Sequence, residues 1–207
     1  MYPIRRVNRA ERPRPFANGQ FMLFERAFYE RIGGHETVKY DLLEDVAFAR
    51  LVHANGGRCG IFLANGMLTC SMYDSLDQLK TGWKRIFVET SRRRPRVLRK
   101  NARLVNGLGI AGPLIQLATL VVAIMVLAAG DLLFGGILAV LVTIGFGTQI
   151  AALLWIYRLS GVPLPMVLLF PVGSWFVGRI FSEAARDLEM GVPIRWAGRD
   201  YTLEPRA

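Results

Sequence analysis

Cysteine and histidine are scarce in this chain. Cys59 and Cys70 are the only cysteines, and their spacing matches no zinc or redox pattern. Reduced, partly buried thiols in a cytoplasmic domain are the plain reading. His35 and His53 are too few and too scattered for a metal site, so no metal ligand is assigned. The N-terminus "MYPIRRVNRAERPRPF" has positive charge but lacks the apolar run of a signal peptide. With Pro3, Pro13 and Pro15 it reads as a linker over residues 1–16. Internal repeats are absent.

Charge is the other absence. No charged residue occurs between Arg103 and Asp131, between Asp131 and Arg158, or between Arg158 and Arg179. The first two gaps hold 27 and 26 residues, and roughly 20 apolar residues suffice to cross a bilayer core. The third, "LSGVPLPMVLLFPVGSWFVG", holds 20 residues but includes Pro163, Pro165 and Pro171. The chain therefore reads as an integral membrane protein.

What charge there is lies to one side. Residues 1–106 carry 20 Lys+Arg and 10 Asp+Glu, while residues 107–207 carry 6 of each. The densest run, "RRRPRVLRKNAR" from Arg92 to Arg103, directly precedes the first gap. The positive-inside rule keeps such a flank in the cytoplasm. Each base near an anionic surface contributes about 1 kcal/mol of attraction. Membrane lipids are thus the expected partner of this run; its juxtamembrane place argues against nucleic acid. Parity then puts Asp131 outside and Arg158 inside. A full third span is the expectation, with the tail outside; the alternative is a kinked or re-entrant segment that returns the tail.

Ahead of the membrane segments, "GQFMLF" (Gly19 to Phe24) suits a buried strand, and "ERAFYERIGG" a short helix stopped by Gly33-Gly34. In "YDLLEDVAFARLVHANGG", Asp41 with Glu44 makes a capping box, and Leu43, Ala47, Leu51 and Ala54 form a helical stripe. "RCGIFLANGMLTCSMY" (Arg58 to Tyr73) predicts two strands around an Asn65-Gly66 turn. In "SLDQLKTGWKRIFVETS", Leu76, Leu79, Trp83, Ile86 and Phe87 share one helical face, with Lys80, Lys84 and Arg85 opposite. That is the pattern of an interfacial membrane helix. Taken as local features, Glu44 and Asp45 are a charged helix start, Trp83 is an interfacial anchor, and Asn18, Gly19 and Gln20 are a strand entry.

The order of these pieces resembles the C-terminal half of membrane-bound family 2 glycosyltransferases. It is most similar to the subgroup with ceramide glucosyltransferase and the bacterial hopanoid- and carotenoid-associated enzymes. The matching segments are "ANGQFMLFERAFYERIGGHE", "LLEDVAFARLVHANGGR", "MYDSLDQLKTGWKR", the apolar spans and "RWAGRDY". The resemblance implies an α/β fold, a partial GT-A-type domain, followed by an all-α transmembrane region of two to three helices. Residues 17–74 would be the acceptor side of the catalytic domain and residues 75–103 the interfacial helix and basic segment. Residues 104–181 would be the membrane segments and 182–207 the tail. Inverting transfer of a sugar from a nucleotide donor to a lipid acceptor is implied, on the cytoplasmic face of a bacterial inner membrane.

In that family the second acid of a Glu-Asp pair is the general base, which corresponds to Asp45, beside Glu44. An acceptor hydroxyl is a poor nucleophile until a carboxylate takes its proton. Gly19 and Gln20 would line the acceptor pocket. Trp83 matches the tryptophan of the family's Q-x-x-R-W motif, with Lys84 and Arg85 as diphosphate neighbours. Gly82 stands where that motif has arginine, and Gln78 is one position early. No D-x-D occurs anywhere in the chain. The resemblance thus implies an acceptor-side half, truncated or split from the half that binds the donor sugar and a divalent metal (Mg or Mn). Such a chain would bind no cofactor and transfer no sugar unaided. The competing reading is a non-catalytic membrane anchor or accessory protein that binds anionic lipid or a partner.

Overall fold

The computed structural model describes residues 7–9, 15–64 and 66–206. Pro3, Pro13 and Asn65 lie outside them. Two compact units result: Met1–Thr90 with Pro193–Leu203, and Ser91–Val192 with Glu204–Ala207.

Among its described residues the first unit contains α1 (Arg26–Arg31), a 3-10 turn (Gly34–Val38), α2 (Glu44–Ala54) and α3 (Leu76–Thr90). Its core is aromatic. Phe48 of α2 is 1% exposed and packs with Ile32, Val38 and Val52. Burying one such side chain contributes about 1.5–3 kcal/mol. The His35 ring stacks on Phe48 at 4.8 Å, and its Nδ1 lies 2.8 Å from the Tyr29 hydroxyl. His35 is therefore part of this core.

The expected α/β domain is absent from the described residues. They hold only two short strands, β1 (Ile194–Trp196) and β2 (Arg199–Tyr201), which pair with each other antiparallel. Gly19 and Gln20 form a turn, with Phe21 N–H donating to Asn18 O at 3.4 Å, and neither Met22–Phe24 nor the described residues of 58–73 belong to a strand. A strand exists through its ladder, and here the backbone groups bond elsewhere. The Asn8 amide both donates to Ile61 O at 2.9 Å and accepts from Ile61 N–H at 2.7 Å. Leu23 and Phe62 are both 87% exposed, so no second layer holds these segments. Gly66 takes φ +85° and Met67 N–H donates to Ala64 O, but the described residues on either side do not pair as strands.

Two local expectations shift as well. Asp41 does not cap α2: its N–H closes a turn onto Val38 O, and Leu43 occupies the N-cap position. The buried face of α2 centres on Phe48, Ala49 and Val52, because the aromatic cluster draws the larger side chain inward. Ala47 and Leu51 pack at its edge, and Ala54 is exposed. Ser75 starts α3 with its hydroxyl accepting from Gln78 N–H, while the Gln78 side chain accepts from Asp74 N–H. Gln78 is thus a capping residue.

The second unit holds α4 (Pro95–Asn106), a π-helical turn (Gly107–Ala111), α5 (Gly112–Ala128), α6 (Leu132–Leu159), a 3-10 turn (Leu164–Leu169) and α7 (Phe170–Glu189). Three stretches, Pro95–Ala128, Leu132–Leu159 and Leu164–Glu189, are long and apolar enough to cross a membrane. α4 buries Leu98 and Ala102 and exposes Arg96, Arg99, Lys100 and Arg103. Asp131 caps α6 by accepting from Phe134 N–H at 3.0 Å. Small residues set the helix crossings: a Cβ on Gly135 would stand 2.7 Å from Leu127 Cγ. Without water between helices, such close backbone approach is the main source of association. Gln116 Nε2 donates to Gln149 Oε1 at 3.3 Å, and Gln149 Nε2 donates to Leu108 O at 2.9 Å.

Candidate active site

Asp45 sits in the first turn of α2 with both carboxylate oxygens engaged. Val46 N–H donates to Oδ1 at 2.7 Å, and Gly19 N–H donates to Oδ2 at 2.9 Å. The second bond joins the extended segment to the helix start. A Cβ on Gly19 would lie 3.4 Å from Asp45 Oδ2, so the backbone passes close to the carboxylate. Around it the loop is closed by side chains. Asn18 Nδ2 donates to Gln20 Oε1, Gln20 N–H donates to Asn18 Oδ1, and Gln20 Nε2 reaches Met72 Sδ at 2.7 Å. Asp45, Gly19 and Gln20 therefore share one place.

The other sequence candidates separate. Arg85 turns toward the interior of the unit, with its side chain only 12% exposed. Its Nη1 donates to Leu42 O at 3.1 Å and lies 3.5 Å from Glu44 Oε2, while the guanidinium stacks 4.0 Å from the Trp196 ring. Arg85 Nε is buried with no hydrogen-bond partner. Glu44 makes no cap and instead faces this arginine. An ion pair half open to water contributes little by itself, so the stacked and backbone contacts hold Arg85. Trp83 is 41% exposed, its ring 5.4 Å from that of Phe87. Lys84 follows Trp83 on α3, in a different segment from the Asp45 loop.

Two residues outside the sequence candidates matter. Trp196, from β1, completes the Arg85 pocket, and its signal was the Arg-Trp pair in the tail. Tyr73 fills the space beside Gly82: a Cβ there would stand 2.5 Å from the Tyr73 hydroxyl. An arginine at that position has no room, which gives the departure from the family motif a steric cause.

Burial pushes the Cys59 thiol up, and its Sγ lies 3.6 Å from Ala49 O. Among the described residues no three His, Cys, Asp or Glu side chains converge.

The model of a family described as Glycosyl transferase family 21 matches residues 6–207. No curated protein and no solved structure gives a significant match. The resemblance to ceramide glucosyltransferase-like enzymes thus holds at the level of family. With a match over nearly all of its length and three helices fit to cross a bilayer, the chain belongs to glycosyl transferase family 21, as a membrane member.

Proposed function

We propose that this chain supplies the acceptor side and the general base of an inverting glycosyltransferase acting on a lipid hydroxyl. The observation that carries the reading is the fixed carboxylate of Asp45, held by Gly19 N–H and Val46 N–H. A carboxylate offers about four acceptor positions, so two backbone bonds leave room for an incoming hydroxyl. The acceptor oxygen attacks the anomeric carbon of a nucleotide sugar, and its proton passes to Asp45. The bond from that carbon to the diphosphate breaks, the nucleoside diphosphate leaves, and one displacement inverts the configuration. A positioned base of this kind contributes about 10²–10⁴-fold.

Gly19 and Gln20 shape the acceptor side of this loop, Trp83 serves the lipid acceptor, and Lys84 neighbours the donor diphosphate. Glu44 and Arg85 position the start of α2. The donor sugar, with its divalent ion, is held by a D-x-D element outside these residues, on the same polypeptide or another. The Arg92–Arg103 run keeps the first unit on the cytoplasmic side of a bacterial inner membrane. A non-catalytic anchor is the second reading, favoured by Leu76 at 71% exposure near Trp83 on α3.

Membranes containing this chain and a D-x-D element, given a radiolabelled nucleotide sugar, test the reading. Labelled lipid of inverted anomeric configuration, formed only when both are present, supports it. Equal transfer without this chain assigns it the anchor role.

A further inference from the structure

A chain that crosses a membrane three times sends its third span parallel to its first, because the second has brought it back. The second unit has the opposite order. Along α7 and the first helix, contacts rise in one sequence as they fall in the other. A Cβ on Gly109 would meet Ser174, a Cβ on Gly178 would meet Asn106, and Glu189 pairs with Arg99. The charged end of α7 therefore lies beside the basic flank from which the first span departs. α6 runs back along α5 in the ordinary way, with Gly135 against Leu127 and Gln149 bonded to Leu108 O. Its end at Leu159 returns toward that same flank.

We propose that only the first two apolar stretches cross the bilayer. The third dips into the leaflet on the Arg92–Arg103 side and returns, which leaves the tail on that side. Length agrees with this. The uncharged part of α7, Phe170–Gly178, rises about 13 Å at roughly 1.5 Å per residue. The 3-10 turn before it adds about 12 Å at roughly 2.0 Å per residue. Even laid end to end they fall short of a core about 30 Å thick. Pro163, Pro165 and Pro171 remove backbone donors where the chain bends. Arg179 sits 5.3 Å from the Trp175 ring, an aromatic and cationic pair suited to the headgroup level where α7 leaves the leaflet. Leu168 at 83% and Val172 at 62% exposure offer apolar surface to lipid.

The tail gives independent support. Arg206 N–H donates to Arg93 O at 2.8 Å within the second unit. Within the first unit, β1 packs against α3, which precedes every apolar stretch. Within each unit, residues from both sides of the membrane segments thus pack together, which requires an even number of crossings.

Single-cysteine chains decide it, with Cys59 and Cys70 replaced by serine. Ala129→Cys reports the turn between α5 and α6, Ser160→Cys the end of α6, and Met190→Cys the end of α7. Intact cells and inverted vesicles are labelled with a membrane-impermeant maleimide. Met190→Cys should label from the same side as Ser160→Cys, opposite to Ala129→Cys. Labelling of Met190→Cys from the Ala129→Cys side would establish a third crossing and overturn the proposal. If a cysteine chain fails to accumulate, a one-sided reporter fused after Ala207 in the natural sequence gives the same two outcomes.

Discussion

The guanidinium of Arg85 lies 4.0 Å from the ring of Trp196, joining the helix before the membrane segments to the strand after them. The same side chain donates to Leu42 O at the approach to α2, so it ties the tail to the helix that carries Asp45. Removing the ring should cost about 0.5–2 kcal/mol, the range of partly desolvated cation–π contacts. Arg85→Ala should cost more, since it also frees Leu42 O. Thermal unfolding in detergent of Arg85→Ala, Trp196→Ala and the double variant measures the coupling. Additive losses would mean that the stacking has no energetic content.

Gly82 and Tyr73 offer a second test. Gly82→Ala places a methyl 2.5 Å from the Tyr73 hydroxyl and forces a shift of the ring. Overpacking of this kind costs about 1–3 kcal/mol. Tyr73→Ala in the same chain should restore stability relative to Gly82→Ala alone, read as recovery of accumulated protein and melting temperature.

How much of this could be read from local pattern differs by element. The three apolar stretches follow from charge-free length, and the stop of α1 follows from Gly33, which takes φ +81°. The strands are different, because pairing is nonlocal. "GQFMLF" has strand composition, yet its Gly19 N–H meets a carboxylate rather than a neighbouring strand. Helical periodicity groups Arg85 with Lys80 and Lys84. Only Trp196, contributed from the far end of the sequence, explains why the arginine turns inward. The pair Glu44-Asp45 is visible in sequence, but the bond that holds Asp45 to Gly19 is not.

The cysteines should differ in reactivity. Cys59 is half-buried and its thiol is pushed up by burial, so less thiolate is present at neutral pH; Cys70 is exposed. The thiolate is the nucleophile. Maleimide or disulfide reagents should modify Cys70 first, with Cys59 following more slowly and gaining rate as pH rises. Equal rates for both thiols at neutral pH would contradict this.

Inside the membrane segments, the Gln116–Gln149 bond joins α5 to α6, with Gln149 also held by Leu108 O. Interhelical side-chain bonds in lipid contribute about 0.6–2 kcal/mol. Gln149→Leu should loosen the hairpin by that order and Gln116→Leu by less, measured by unfolding in mixed detergent micelles. A larger effect for Gln116→Leu would assign the main bond differently.

Asp45 bears the central claim. Asp45→Asn keeps the size of the side chain and an oxygen for Gly19 N–H, but removes the carboxylate that takes the acceptor proton. In membranes that also hold a D-x-D element, the rate of sugar transfer to lipid should fall about 10²–10⁴-fold, with protein level unchanged. Transfer at the unaltered rate would remove Asp45 from the chemistry.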